Sequence, residues 1–158
     1  MRWIAPIAVA IAAIDQLTKL LVVRVVGVDE KRVVVDNFFN LVCFGNTGAA
    51  WGIFRDYNTL LAVISILTIL VLYLLRHSFQ LQRKSSCVAL GLIAGGIAGN
   101  LIDRVRVGHV IDFLDFYVGR HHWPAFNVAD SAICIGVVLY VIISWRSDSD
   151  AKAVDARA

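Results

Sequence analysis

The sequence predicts an all-α integral membrane fold: four transmembrane helices, a small extracytoplasmic β platform and a short interfacial amphipathic helix. Three observations lead there. Of 158 residues, 59% are hydrophobic and 17% charged, with a mean hydropathy of +0.74; one soluble domain of this size cannot hide so much apolar side chain in its own core. The apolar residues arrive in four blocks, each near the roughly 20 residues that a hydrocarbon layer about 30 Å thick requires. Between the first two blocks lies a segment rich in β-branched and aromatic residues, broken by turn formers.

The first span covers about residues 3–26. Arg2 ahead of an apolar run resembles a cleavable leader, but the early Ala-x-Ala at Ala8 to Ala10 falls inside that run. Hydrophobicity then resumes from Leu20 to Val26, so a retained helix is the expectation. The β platform is expected at about 30–46, where Val33 to Val35 and Phe38 to Phe44 flank a turn at Asp36-Asn37. Trp51, Phe54 and Tyr57 follow at helical spacing beside Arg55 and Asp56, which predicts an interfacial helix over about 50–58. Plain aromatic anchoring is the alternative.

The remaining spans are expected at about 59–75, 87–107 and 124–145, followed by a polar tail, 146–158, expected to be disordered. In the third span Gly91, Gly95 and Gly99 stand four apart on one face, a packing pattern that lets a second helix approach closely. With no fixed-period repeat, residues 1–158 read as a single membrane-embedded domain. Arg76, Arg83 and Lys84 crowd the short loop between the second and third spans without an acid, whereas Lys31, Arg32 and Arg55 are spread over the long first loop. The short loop and both termini are therefore expected in the cytoplasm, although Arg104, Arg106 and Arg120 lie on the other side.

Several functional classes recede on composition. A net charge of +3, scattered along the chain, gives no nucleic-acid surface. Cys43, Cys87 and Cys134 have neither metal-ligand spacing nor a disulfide framework. His121-His122 near His109 make a poor metal site, because adjacent side chains point apart and no metalloprotease motif accompanies them. No metal and no cofactor is expected.

Ionisable residues inside a span cost several kcal/mol unless paired or near water. Asp15 and Lys19 stand four apart on the first helix, and an internal ion pair that orients the helix is their simplest reading. A denser group follows: Asn100, Asp103 and Arg104 close the third helix, Asp112 and Asp115 lie in the connection, and Asn127 and Asp130 open the fourth. A carboxylate near Asp112 brought against Asp130 would form an aspartic dyad. Two like charges a few ångströms apart do not both ionise easily, so one acid keeps its proton and the other acts as general base on a shared water. Spacing alone does not choose among Asp103, Asp112 and Asp115, and each also fits an interfacial hydrogen-bonding acid.

Four segments, Asn46-Thr-Gly-Ala-Ala-Trp51, Gly95-Gly-Ile-Ala-Gly-Asn-Leu-Ile-Asp-Arg104, Val110-Ile-Asp-Phe113 and Phe126-Asn-Val-Ala-Asp130, resemble the successive motifs of the lipoprotein signal peptidase family. Together with Asp15 to Lys19 they run in family order through most of the chain; Trp51 stands where phenylalanine is more usual. The resemblance implies an aspartic endopeptidase of the bacterial inner membrane that cuts prolipoproteins before a diacylglyceryl-modified cysteine. It implies Asp112 and Asp130 as the catalytic pair, and Asn46, Asn100, Arg104 and Asn127 as substrate-site residues. Asp15, Lys19, Gly48 and Asp103 are implied as supporting positions. The partners implied are the lipid-modified prolipoprotein and membrane lipid, with no nucleic acid; the protein is expected to be a monomer with its active site toward the outer face. The main rival is a small transporter or channel using Asp15, Lys19 and Asp130 as pathway charges, which would predict related halves meeting at the midplane; a third is a scaffold held by the glycine face.

Overall fold

In lipid every backbone N–H and C=O must find its partner within the protein, so apolar blocks of this length resolve as helices. The computed structural model describes residues 2–49, 53–79 and 81–155. It contains α1 (Ile4–Val25), β1 (Lys31–Val35), β2 (Phe39–Asn46), α2 (Asn58–Leu74), α3 (Lys84–Arg106), β3 (Val110–Val118), β4 (His121–His122) and α4 (Val128–Asp155). Three segments, Ile4–Val25, Lys84–Arg106 and Val128–Arg146, are long and apolar enough to cross a membrane. The 17 residues of α2 give about 26 Å of helix, slightly short of the hydrocarbon layer.

The distribution of exposure is inverted relative to a soluble bundle. On α1 the buried residues are Asp15, Lys19 and Val22, whereas Val9, Ile14, Leu17, Leu21 and Val25 are exposed. Apolar side chains thus face the lipid and ionisable ones the bundle. The central helix is α3, which packs against α4, α1 and α2. Its glycine face receives α1: an added Cβ at Gly91 would sit 2.8 Å from Ile7, at Gly95 2.7 Å from the Ala8 carbonyl, and at Gly99 2.6 Å from the Asp15 carboxylate. Gly96 faces the other way, against the Ala129 carbonyl of α4. We expect Gly95→Val to wedge α1 from α3, because backbone cannot yield as a flexible side chain does. A cost of roughly 1–3 kcal/mol should appear as a lower thermal midpoint in detergent; an unchanged midpoint would argue against this packing.

The β platform forms as an antiparallel sheet in the order β1-β2-β3-β4. Asn37, in the turn between β1 and β2, adopts φ 57°, a left-handed conformation that Asn tolerates better than most residues. The sheet is larger than the sequence reading anticipated. Residues 110–118, read there as part of a connection, are a nine-residue strand paired with β2, Asn46 opposite Val110 and Phe44 opposite Asp112. Val22 of the first helix and Val26 just past its end bury against Cys43, Ile111 and Phe113 of the sheet, seating the sheet on the end of α1. Burial, with the charge of Asp29 adding, pushes the Cys43 thiol up, which suits packing and not nucleophilic chemistry.

Two further segments differ from expectation. Residues 53–56 form turns and not a helix, with Phe54 and Asp56 both left-handed. The Ala49 amide bonds the Ile53 carbonyl at 2.7 Å, and Thr47 and Asp56 exchange hydrogen bonds; these local closures win over the helical aromatic spacing. Trp51 and the rest of 50–52 lie outside the described residues. The helix α4 continues through the start of the polar tail to Asp155, where disorder was expected.

Candidate active site

The site grows from the start of α4. In Phe126-Asn-Val-Ala-Asp130, Asn127 precedes the first helical residue and Asp130 is third within the helix, the spacing of a capping box. The box closes both ways: the Asp130 amide donates to Asn127 Oδ1 at 2.9 Å, and the Asn127 amide donates to Asp130 Oδ2 at 3.2 Å. A second helix supplies another cap, since Asp15 Oδ1 accepts the Ala129 amide at 2.9 Å. One carboxylate is therefore fixed at the positive end of α4, where a helix favours negative charge.

The strand β3 brings the other. Asp112 is 3% exposed and accepts from Asn127 Nδ2 at 2.7 Å and from Asn46 Nδ2 at 2.9 Å. Asn127 thus touches both acids, one through its side-chain amide and the other through its backbone. Burial, reinforced by the neighbouring charge of Asp130, pushes the Asp112 carboxyl up to about 7, against the opposing effect of the Asn46 and Asn127 hydrogen bonds. Both carboxylates line a single cleft of about 1070 Å³, large enough for an extended peptide segment or a lipid portion.

Around the pair, α3 contributes Asn100 and Arg104. Asn100 Nδ2 donates to Asp130 Oδ1 at 2.8 Å. Arg104 reaches across the cleft and donates from Nη2 to the Gly48 carbonyl at 3.1 Å, while the Gly48 amide donates to Asn46 Oδ1 at 2.9 Å. The loop after β2 is thereby tied both to Arg104 and, through Asn46, to Asp112. Behind the site, Lys19 is fully buried and pairs with Asp15 at 2.8 Å and Asp103 at 2.7 Å. The expected pair within one helix is a three-membered cluster across two, with Gln16 also donating to Asp103 at 2.9 Å. All ten residues singled out from the sequence converge here, six of them lining the cleft and Asn127, Asp15, Lys19 and Asp103 bonded behind it.

The sequence does not announce Gln16, nor the partners of Asp115. Gln16 braces α1 to α3, and nothing in one helix's periodicity announces a partner on another. Asp115 is buried and accepts from Asn40 Nδ2 at 2.8 Å, with His122 Nδ1 at 2.8 Å on its other oxygen and the His122 ring stacked on Tyr117. This buried acid is engaged by the sheet, not by Asp130. The strand-like run Val-Ile-Asp-Phe-Leu-Asp-Phe-Tyr-Val was the available signal for it.

Comparison with known proteins bears on the chain as a whole. The family model of signal peptidase (SPase) II matches residues 7–146. The chain is 45% identical over 148 residues to the lipoprotein signal peptidase of Syntrophotalea carbinolica, covering 92% of each chain. It is 47% identical over 152 residues to that of Paraburkholderia phymatum, covering 91% of this chain and 87% of the relative. A solved bacterial membrane enzyme, determined by the in meso method, superposes with a TM-score of 0.83 at 33% identity, over 92% of this chain and 89% of that one. A second such structure gives 0.74 at 34%, over 88% and 90%.

Proposed function

Since the chain belongs to the signal peptidase II family, we propose that Asp112 and Asp130 are its catalytic dyad, working at the outer boundary of a bacterial inner membrane. The protein is a membrane peptidase that removes signal peptides from prolipoproteins; the transporter reading has no remaining support. The observation that carries the mechanistic proposal is the shared cleft, in which two acids are joined through one asparagine.

One acid of the pair is anionic and takes a proton from a water held between them; that water attacks the scissile carbonyl. The protonated partner polarises the carbonyl oxygen and then passes its proton to the departing amine, so the pair ends with the proton count it began with. The protons belong to the coupled pair. Asn100, Asn127 and Asn46 donate to the carboxylates, stabilising the anion that the step needs. Arg104 lines the cleft, and its guanidinium carries donors that suit the carbonyls of the substrate backbone.

The cut falls before a cysteine that already carries a diacylglyceryl group, with the lipid chains remaining in the bilayer beside the helices. In this arrangement α2 is the fourth span, both termini are cytoplasmic, and the sheet with segment 46–58 lies at the outer interface over the peptide. The enzyme acts as a monomer. Activity requires one proton on the pair, and with the Asp112 carboxyl pushed up to about 7, the second proton leaves near neutral pH. Cleavage should therefore fall on the alkaline side. Asn46→Ala removes a hydrogen bond that favours the anion, so the alkaline limb of kcat/KM should move up by about half a pH unit or more; a limb that stays put or moves down would count against the pairing. The reading as a whole is tested by locating the cut in a lipid-modified prolipoprotein.

A further inference from the structure

The three N–H bonds of Lys19 are all engaged inside the protein: Asp15 Oδ2 at 2.8 Å, Asp103 Oδ2 at 2.7 Å and Asn100 Oδ1 at 3.0 Å. An ammonium donates and never accepts. The side of Asn100 facing Lys19 is therefore its oxygen, which turns the NH2 toward Asp130 Oδ1 at 2.8 Å. The same oxygen accepts from Asn127 Nδ2 at 3.2 Å, so the NH2 of Asn127 also points inward, where it meets Asp112 Oδ1 at 2.7 Å. Its own oxygen takes the Asp130 amide. The buried cation thereby fixes the donor direction of Asn100 toward Asp130, while Asn127, whose own oxygen is held by the Asp130 amide, is braced in the same sense and ends on Asp112. A plain ion pair within α1 would require none of this.

We infer that Lys19 is a positioning residue for peptide hydrolysis: held by Asp15 and Asp103, it sets the polarity of the Asn100 side chain so that its NH2 is presented to Asp130. This inference rests on the dyad reading and deepens it. The charged groups surrounding the network are Asp15 and Lys19 from α1, Asp103 and Arg104 from α3, Asp112 from β3 and Asp130 from α4; Arg55, Asp56 and Asp115 border the same cleft. Without Lys19, the Asn100 oxygen keeps only the 3.2 Å bond from Asn127 Nδ2, and the amide is freer to turn over and set its oxygen against Asp130. Anionic forms of the pair then lose a donor, and the doubly protonated pair persists to higher pH.

The test combines steady-state kinetics on a lipid-modified prolipoprotein with a pH profile and a double-mutant cycle. Lys19→Met is expected to lower kcat by about tenfold or more with KM within about threefold, and to move the acid limb of the profile up by about one pH unit. In an Asn100→Ala background the same substitution should cost less than about threefold further, because its effect runs through that amide. An equal loss in both backgrounds would overturn the positioning role, as would a lowered thermal midpoint with kcat and the acid limb unmoved. Should the uncompensated acids unfold Lys19→Met, the charge-matched Lys19→Met/Asp103→Asn carries the same measurements, and wild-type kcat with an unshifted limb in that variant overturns the role equally. Failure of the dyad itself is separable: it would show as normal cleavage by Asp112→Asn or Asp130→Asn, whereas inactive aspartate variants beside an indifferent Lys19 would remove the positioning role alone.

Discussion

Asp112→Asn and Asp130→Asn each lower cleavage by roughly 10³-fold or more while the protein still accumulates in the membrane. The amide keeps the size of the carboxylate but neither ionises nor passes a proton. Each acid now accepts two hydrogen bonds, Asp112 from Asn127 and Asn46, Asp130 from Asn100 and the Asn127 amide. An asparagine in either place turns its own NH2 toward one of those donors, and the mismatch costs about 1–3 kcal/mol. The helices, held by apolar and glycine packing elsewhere, should tolerate that. Quantifying the variant by immunoblot beside its rate separates lost chemistry from lost protein; cleavage within tenfold of wild type by either variant would remove that residue from the dyad.

The second large effect is expected at Asn127→Ala. This residue caps α4, bridges the two acids and donates to the Asn100 oxygen that Lys19 also holds. Loss of the cap alone costs about 1 kcal/mol. The larger consequence is for the rate, because a buried donor aimed at a charge in a catalytic site is worth about 10²-fold or more. A fall in kcat far larger than the change in thermal midpoint is the expected pattern. A variant that loses stability yet retains kcat within about threefold would reduce Asn127 to a helix cap.

Much of this was legible in the sequence because it is local. Apolar blocks give helices, the Asp36-Asn37 turn gives the β1–β2 hairpin, and the Asn127 and Asp130 spacing sits at the head of the last span. What was missed is nonlocal. The strand β3 pairs with β2 across roughly seventy residues of chain, Phe39 opposite Phe116, and its run of apolar residues reads equally well as a buried connection. Likewise the i,i+4 rule finds Lys19 beside Asp15 but says nothing of Asp103, 84 positions further on. At residues 53–56 the error ran the other way: aromatic periodicity pointed to helix, and short-range hydrogen bonds at Thr47 and Ala49 produced turns.

Among the acids, spacing left Asp103, Asp112 and Asp115 as equal candidates to face Asp130. The hydrogen bonds separate them. Asp103 belongs to the Lys19 cluster, and Asp115 is occupied by Asn40 and His122. Asp112 is the one whose asparagine partner also holds Asp130.

The most direct measurement is to incubate the purified protein with a prolipoprotein carrying the diacylglyceryl group and to weigh both products by mass spectrometry, with Asp112→Asn treated in parallel. The expected result is one cut on the N-terminal side of the modified cysteine, product masses that sum to substrate plus one water, and no product from the variant. An intact substrate, a cut at another bond, or equal cleavage by Asp112→Asn would contradict the assignment of two acids sharing one water at the edge of the membrane.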